Sequence, residues 1–198
     1  MNDQQAAELK RRKRKRKQKR RLVAIAGFVL FTTGMAWFFE SQATTTIIVT
    51  RYADALPNGS LSESGEQRAN ELARLLGEID VVAGVDAIYV APQRASRDSS
   101  LELAMRNQAP VHAIENPADV ESLVAQILKE YKGKIVLIIT EPEFIQPAIR
   151  EMHGSKKLPL MAADEYDNIY IVSIPWFGKV KTLRLRYGIP YRVPVPTE

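Results

Sequence analysis

The chain contains no cysteine and only two histidines among its 198 residues. Without cysteine, disulfide bonds are excluded as a source of stability. This absence does not identify a compartment, because many proteins of the cell envelope also lack disulfides. The two histidines, His112 and His153, lie in a short strand-like segment and near a predicted helix end. We interpret both as surface or boundary residues.

The sequence also lacks a cluster of residues arranged for metal binding. Its densest acidic group is Asp164, Glu165 and Asp167, which is interleaved with Tyr166. This group has no histidine and no further oxygen donors at the spacing of a metal-binding loop. We therefore expect neither a metal nor a cofactor, and we interpret the acidic group as part of a solvated loop.

Charge is divided unevenly along the chain. Eleven of the twelve residues from Lys10 to Arg21 are lysine or arginine, and removing them from the formal net charge of +5 leaves −6 for the remainder. The basic character therefore belongs to an arm at residues 1–21. A solvated run of this density cannot bury itself, so we expect the arm to be disordered.

An uncharged apolar segment follows directly, from Leu22 to Phe39. As a helix, its eighteen residues would span roughly 27 Å, close to the hydrocarbon thickness of a bilayer. The aromatic residues at 37–39 suit a membrane interface, and the basic arm on the opposite flank predicts a cytoplasmic N terminus. We therefore predict a transmembrane helix at 22–39 in a bacterial inner membrane, with a periplasmic C-terminal domain.

Two other interpretations of the N-terminal region compete with this one. Nucleic-acid binding would explain the basic arm but not the apolar segment, so we expect no nucleic-acid partner. Ser41-Gln42-Ala43 resembles the cleavage site of a signal peptide, but a long and bulky apolar stretch favours an uncleaved anchor. The expected partner of this region is the lipid bilayer, to which basic residues near anionic lipid contribute about 1 kcal/mol each.

After residue 43 the sequence alternates between strand and helix patterns. This alternation predicts one α/β domain at 40–188, a three-layer α/β/α sandwich with a mostly parallel sheet. A proline-rich tail is expected at 189–198. The predicted strands are 44–50, 86–90, 110–114, 134–140, 168–174 and 180–187, and the predicted helices are 64–76, 94–107, 117–131 and 142–153.

Four segments of this domain form a recognisable series. The first strand runs into Arg51-Tyr52; residues 61–69 read LSESGEQRA, residues 88–94 read IYVAPQR, and residues 135–141 read IVLIITE. In order, they resemble the Arg-His-Gly, Leu-Thr-x-x-Gly-x-x-Gln-Ala, Tyr-Ser-Ser-Pro-x-x-Arg and Gly-His strand-end motifs of the histidine phosphatase (phosphoglycerate-mutase-like) superfamily. The chain is identified by this resemblance as a degenerate member of that superfamily.

The resemblance implies which residues correspond to the family's phosphate pocket. Two arginines and two histidines form that pocket, and one histidine is the nucleophile. Arg51 and Arg94 match the arginines, Tyr52 matches the nucleophile and Glu141 matches the second histidine. A tyrosine with a pKa near 10 is a scarce nucleophile at neutral pH. Because a carboxylate accepts paired hydrogen bonds from guanidinium, we predict that Glu141 pairs with Arg51 or Arg94 and occupies the pocket.

These substitutions predict a pseudoenzyme with no intact catalytic residue. Its expected role is a membrane-anchored binding or scaffold module with a protein partner in the envelope. Arg51 and Arg94 are the candidate residues of an anion pocket. Two alternatives stay open: a phosphatase of altered mechanism that acts on phosphoesters through Tyr52, and a non-catalytic sensor of a phosphorylated or otherwise anionic ligand. The turn at Trp176-Phe177 is compatible with an exposed contact site and with packing onto the sheet.

Overall fold

The computed structural model describes residues 3–40, 44–79, 84–159 and 161–190, and within the first of these ranges the side chains of 14–36 and 38. The chain divides into two units, Met1–Gln42 and Ala43–Glu198. The predicted cleavage site at 41–43 and the tail from residue 191 onward lie outside the described residues.

The described part of the first unit is one helix, α1, from Asp3 to Glu40. Our prediction of a disordered basic arm is therefore wrong, because the arm and the apolar segment share one helix. Lysine, arginine and glutamine are good helix formers. A helix that has nucleated in the apolar segment extends into them at little further cost. Across the part of the chain that the structure describes, no helix is long and apolar enough to cross a membrane.

The second unit is organised around a six-stranded sheet with the order β3-β2-β4-β1-β5-β6. Three of its five pairings are parallel, namely β1–β4, β2–β4 and β2–β3. The pairings of β5 with β1 and with β6 are antiparallel, so the sheet is mixed, with the parallel part predominant. The strands are β1 (Thr45–Arg51), β2 (Ala87–Val90), β3 (Val111–Ala113), β4 (Ile135–Thr140), β5 (Asn168–Ile174) and β6 (Lys181–Arg186).

Helices cover both faces of this sheet. Ile138 of β4 packs with α4 and α5, whereas Leu137 and Ile139 pack with α2 and α3, and all three side chains are fully buried. Burial on both faces explains why β4 is apolar throughout. Every strand and helix predicted after residue 43 is present, with bounds within three residues. The helices are α2 (Glu63–Gly77), α3 (Arg94–Asn107), α4 (Val120–Glu130) and α5 (Pro142–Glu151).

Candidate functional site

The segments that follow β1, β2 and β4 meet at the carboxyl edge of the sheet. Arg51 ends β1 and pairs in register with Thr140, the last residue of β4. Because β4 lies between β1 and β2, Glu141 stands between the segments that carry Tyr52 and Arg94. The fold therefore places all four sequence-predicted positions at the edge where parallel sheets bind ligands.

Arg51 is buried, and its guanidinium group contacts the loop that precedes β5. Its Nη1 donates hydrogen bonds to the carbonyl oxygens of Ala163 at 2.9 Å and Glu165 at 3.2 Å. Its Cζ lies 3.7 Å from the centroid of the Tyr166 ring, within the range of cation–π attraction. Its Nε has no hydrogen-bond partner among the described residues. The loop thus occupies one nitrogen and one face of the guanidinium group.

Tyr52 is partly buried and packs against the core between the sheet and helices α2 and α3. The Cζ of Arg51 lies 5.3 Å from the centroid of its ring. The next backbone amide, that of Ala53, donates to Ser99 Oγ at 2.9 Å, and this hydroxyl donates in turn to the carbonyl oxygen of Ala95. The hydrogen bond from Ala53 to Ser99 therefore links the backbone after β1 to α3.

Glu141 is buried and held by neutral donors. Gln93 Nε2 donates to one carboxylate oxygen and Thr140 Oγ1 donates to the other at 3.0 Å. Among the described side chains, Glu141 forms no ion pair with Arg51 or Arg94, so our prediction of such a pair is wrong. The physical reason is that each arginine donates to another acceptor, Arg51 to carbonyl oxygens of the loop before β5 and Arg94 to Asp98.

Arg94, the second predicted arginine, is largely exposed at the start of α3. Its Nε donates to Asp98 Oδ2 at 3.1 Å, one helical turn away, and its side chain is 60% exposed. An exposed pair at this spacing contributes a few tenths of a kcal/mol. Arg51 and Arg94 thus lie at the same edge in different environments, one buried and one in solvent.

Helices α3 and α5 both begin at this edge without a side-chain cap. Gln93 is the N-cap residue of α3 and Glu141 is that of α5, and neither side chain accepts a hydrogen bond from its own helix. The N terminus of a helix attracts negative charge. Glu141 itself supplies a negative charge at the N terminus of α5.

Neither histidine reaches the carboxyl edge. His112 lies in β3, stacks on Tyr89 at a centroid distance of 4.9 Å and hydrogen-bonds the hydroxyl of Tyr131 at 2.8 Å. His153 follows α5 with a positive φ of 56° and is exposed. Both are placed as the sequence predicts, at a boundary and at the surface.

Two of the three acidic residues before β5 are buried, contrary to our prediction of a solvated loop, and only Asp164 is exposed. Asp167 is fully buried and Glu165 is 7% exposed. Arg186 of β6 donates to both oxygens of Asp167, at 3.0 and 2.8 Å, and to Glu165 Oε1 at 2.9 Å. These hydrogen bonds raise the pKa of Arg186 above its ordinary value. This network fixes the loop that covers Arg51. The one indication of it in the sequence is Arg186, a basic residue in the strand that pairs with β5.

A second buried arginine, Arg68 of α2, was not singled out from the sequence. Its Nε donates to Asp54 Oδ2 at 2.6 Å, and its Nη1 donates to the carbonyl oxygens of Tyr187 and Ile189 at 3.4 and 3.1 Å. Its Cζ lies 6.0 Å from the centroid of the Tyr166 ring. Arg68 therefore joins the segment after β1 to the segment after β6.

The start of α2 approaches the segment after β1 closely enough to require glycine at position 65. Ser62 caps the helix, and a Cβ at Gly65 would overlap the carbonyl oxygen of Asp54. We expect Gly65→Ala to lower the free energy of unfolding by about 1–3 kcal/mol, as overpacking does. Urea titration in detergent measures this change.

Gly77, in the last turn of the same helix, is the matched control. Among the described residues, a Cβ there would meet Asn107 Oδ1 at 3.7 Å, which is an ordinary contact. Alanine is a better helix former than glycine, so Gly77→Ala should leave stability unchanged or raise it by up to about 1 kcal/mol. Equal losses in the two variants would contradict the close approach at residue 65.

Comparison with known proteins identifies the fold. No family model matches the sequence, and no curated protein matches it in sequence. Solved structures do match. The protein histidine phosphatase SixA complexed with tungstate superimposes with a TM-score of 0.55 at 16% identity, over 71% of this chain and 96% of that chain. Plasmodium falciparum phosphoglycerate mutase gives 0.53 at 15% identity, over 79% and 98%.

A third structure, a mutant of Entamoeba histolytica phosphoserine phosphatase in complex with phosphoserine, gives a TM-score of 0.50 at 15% identity, over 67% of this chain and 95% of that chain. At these identities the likeness establishes the fold alone. The second unit has the fold of histidine phosphatases and phosphoglycerate mutases, which confirms the fold implied by the sequence resemblance.

Proposed function

We propose that this protein is a membrane-anchored, non-catalytic binding module built on the histidine phosphatase fold. The observation that carries this proposal is the composition of the carboxyl edge. Tyr52 and Glu141 stand where the resemblance places histidines, and both histidines of the chain lie elsewhere. Phosphoryl transfer through an imidazole therefore has no residue to perform it.

The other groups at this edge also oppose phosphoester chemistry. Glu141 brings negative charge to the place where the charge of a bound phosphate would accumulate, and its donors, Gln93 and Thr140, are neutral. Part of the donor capacity of Arg51 is used by carbonyl oxygens of the protein. Because phosphoryl transfer depends on preorganised donors and positive charge, this edge is better suited to holding its own structure together than to catalysis.

The proposed anchor is residues 22–39, and the proposed location is a bacterial inner membrane with the domain in the periplasm. Within α1, the large apolar side chains at 22, 23, 25 and 28–31 are more than half exposed. A helix that is apolar on all sides needs an apolar environment. The basic residues before it favour a cytoplasmic N terminus. Residues 37 and 39, whose side chains lie outside those described, complete the uncharged stretch.

The proposal predicts that the full chain in detergent does not hydrolyse p-nitrophenyl phosphate above the rate of its Arg51→Ala variant. A conservative Tyr52→Phe variant removes the only candidate nucleophile at this position while keeping the ring. Hydrolysis that is present in the natural chain and lost in both variants would establish the altered-mechanism phosphatase instead. A steady-state absorbance assay makes this measurement.

A second candidate function, the anion sensor, is favoured by one observation. Arg51 is 4% exposed, and its Nε has no partner among the described residues at an edge where two helices begin. A ligand of the native state raises the melting temperature. Tungstate or phosphate should therefore stabilise the natural chain, but not Arg51→Met, if this edge binds anions. The binding-module proposal expects no stabilisation.

A further inference from the structure

The antiparallel pairing of β5 with β1 brings an aromatic turn to the point where the chain enters the domain. Thr45, the first residue of β1, pairs in register with Ile174, the last residue of β5. The turn between β5 and β6 follows at once and carries Trp176, which is 52% exposed, and Phe177, which is 86% exposed. Large aromatic side chains at such exposure indicate a contact surface when charge and position support one.

The lysines of the second unit are concentrated at this same edge. After residue 43 the chain has seven lysines, and all are exposed. One lies in the last turn of α4, two precede β4, two follow α5 and two follow the aromatic turn. They are Lys129, Lys132, Lys134, Lys156, Lys157, Lys179 and Lys181.

Hydrogen bonds join the segments that carry these lysines. Gly133 N donates to Thr45 Oγ1 at 2.9 Å, which ties the segment before β4 to the start of β1. Ser155 N donates to Thr182 Oγ1 at 2.9 Å, which ties the segment after α5 to the start of β6. The lysines and the aromatic turn therefore form one surface, which we call the basic aromatic edge.

Acidic side chains on these segments neutralise only part of the positive charge of the seven lysines. Asp86 pairs with Lys134 at 3.2 Å, and Glu130 accepts hydrogen bonds from Tyr89 and Gln126. Glu151, in the last turn of α5, is exposed. A net positive charge beside exposed tryptophan and phenylalanine is the composition that binds an anionic bilayer surface, where rings insert at the headgroups and lysines attract the phosphates.

We propose that the basic aromatic edge docks the folded domain onto an anionic lipid surface. This inference rests on the proposed anchor, because position identifies lipid as the occupant. The apolar segment ends at Phe39 and β1 begins at Thr45. Six residue steps reach at most roughly 20 Å. A linker of this length allows the edge beside Thr45 to reach the headgroups, and the carboxyl edge with Arg51 lies at the opposite end of β1.

The two tryptophans of the chain provide separate reporters for the anchor and for docking. Trp37 lies in the proposed anchor and Trp176 lies in the aromatic turn. In the full chain carrying Trp37→Phe, reconstituted in vesicles of phosphatidylcholine with phosphatidylglycerol, Trp176 emission should shift to shorter wavelength and be quenched by brominated lipid. In phosphatidylcholine alone, both effects should be weaker.

Neutralising lysines should reverse docking. At about 1 kcal/mol for each lysine near the surface, the ratio of docked to undocked domain should fall about fivefold per lysine, so Lys156→Gln with Lys157→Gln should reduce it about 25-fold. The control, Arg94→Gln with Arg97→Gln, removes the same charge from the first turn of α3, at the opposite edge of the sheet, and should leave Trp176 quenching unchanged.

Three results would overturn the inference. The first is a Trp176 emission that brominated lipid does not quench in either vesicle type. The second is an equal loss of quenching in the lysine and arginine variants. The third is a blue shift that grows with protein concentration in detergent without lipid, which would assign the surface to a second copy of the chain. A separate measurement tests the anchor. If brominated lipid does not quench Trp37 in the Trp176→Phe chain, residues 22–39 do not insert into the bilayer.

Discussion

Replacing Arg68 by methionine is expected to lower the free energy of unfolding by about 3 kcal/mol, since removing one partner of a buried ion pair leaves the other uncompensated. Arg68 is 5% exposed. Its loss strands the carboxylate of Asp54 and two carbonyl acceptors, at Tyr187 and Ile189. Methionine keeps much of the aliphatic stem, so the change reports mainly the lost charge and hydrogen bonds.

Arg74 on the same helix is the matched control. It also donates two hydrogen bonds to a carboxylate, that of Glu71, but the two side chains are 60% and 48% exposed. Exposed pairs contribute at most about 1 kcal/mol. Urea titrations in the Trp37→Phe chain, followed by Trp176 fluorescence, measure the free energy of unfolding of each variant. The loss in Arg68→Met should be several-fold larger than the loss in Arg74→Met. Similar losses would show that Arg68 does not join the two segments.

Stability is expected to fall steeply between pH 10 and pH 12. Burial raises the pKa of Tyr187 to about 12, and burial together with the nearby Glu130 raises the pKa of Tyr89 to about 12. Both side chains are almost fully buried. A tyrosine in the unfolded chain ionises near pH 10, so above that pH the unfolded chain binds fewer protons than the native one. Each tyrosine therefore lowers stability as pH rises, by an amount that approaches roughly 3 kcal/mol above pH 12.

Tyr187→Phe tests this linkage. The variant removes one ionisable group, so its loss of stability between pH 10 and pH 12 should be smaller than that of the natural chain by roughly 2 kcal/mol. Urea titrations at pH 8, 10, 11 and 12 measure both slopes. An unchanged slope in Tyr187→Phe would mean that Tyr187 ionises in the native protein as readily as in the unfolded one.

The fold could be predicted from sequence because its elements are locally determined. The segment that became β4 is apolar throughout since both its faces are covered. Helix α2 is indicated by its apolar spacing, and α4 and α5 are indicated by a proline near the start and a glycine just past the end. The error was in the basic arm. Charge density argued for disorder there, but helix propensity and continuity with the apolar segment produced a helix.

The candidate site was only partly predictable. The sequence located Arg51, Tyr52 and Glu141 at the carboxyl edge, because strand ends in a parallel sheet define it. It did not identify the partners. Arg51 contacts Tyr166, which comes from a loop more than a hundred residues later, and α2 supplies a second buried arginine, Arg68. Such partners follow from how the loops pack, which neither periodicity nor a local motif encodes.

The position of β1 has a consequence for biosynthesis. β1 is the first strand to be made, but its two neighbours in the sheet, β4 and β5, begin only at Ile135 and Asn168. An apolar strand with two unsatisfied edges must therefore wait until most of the chain has been synthesised. Pairings so distant in sequence form slowly, and unpaired strands aggregate readily. The domain therefore completes its folding only after most of its chain has been synthesised.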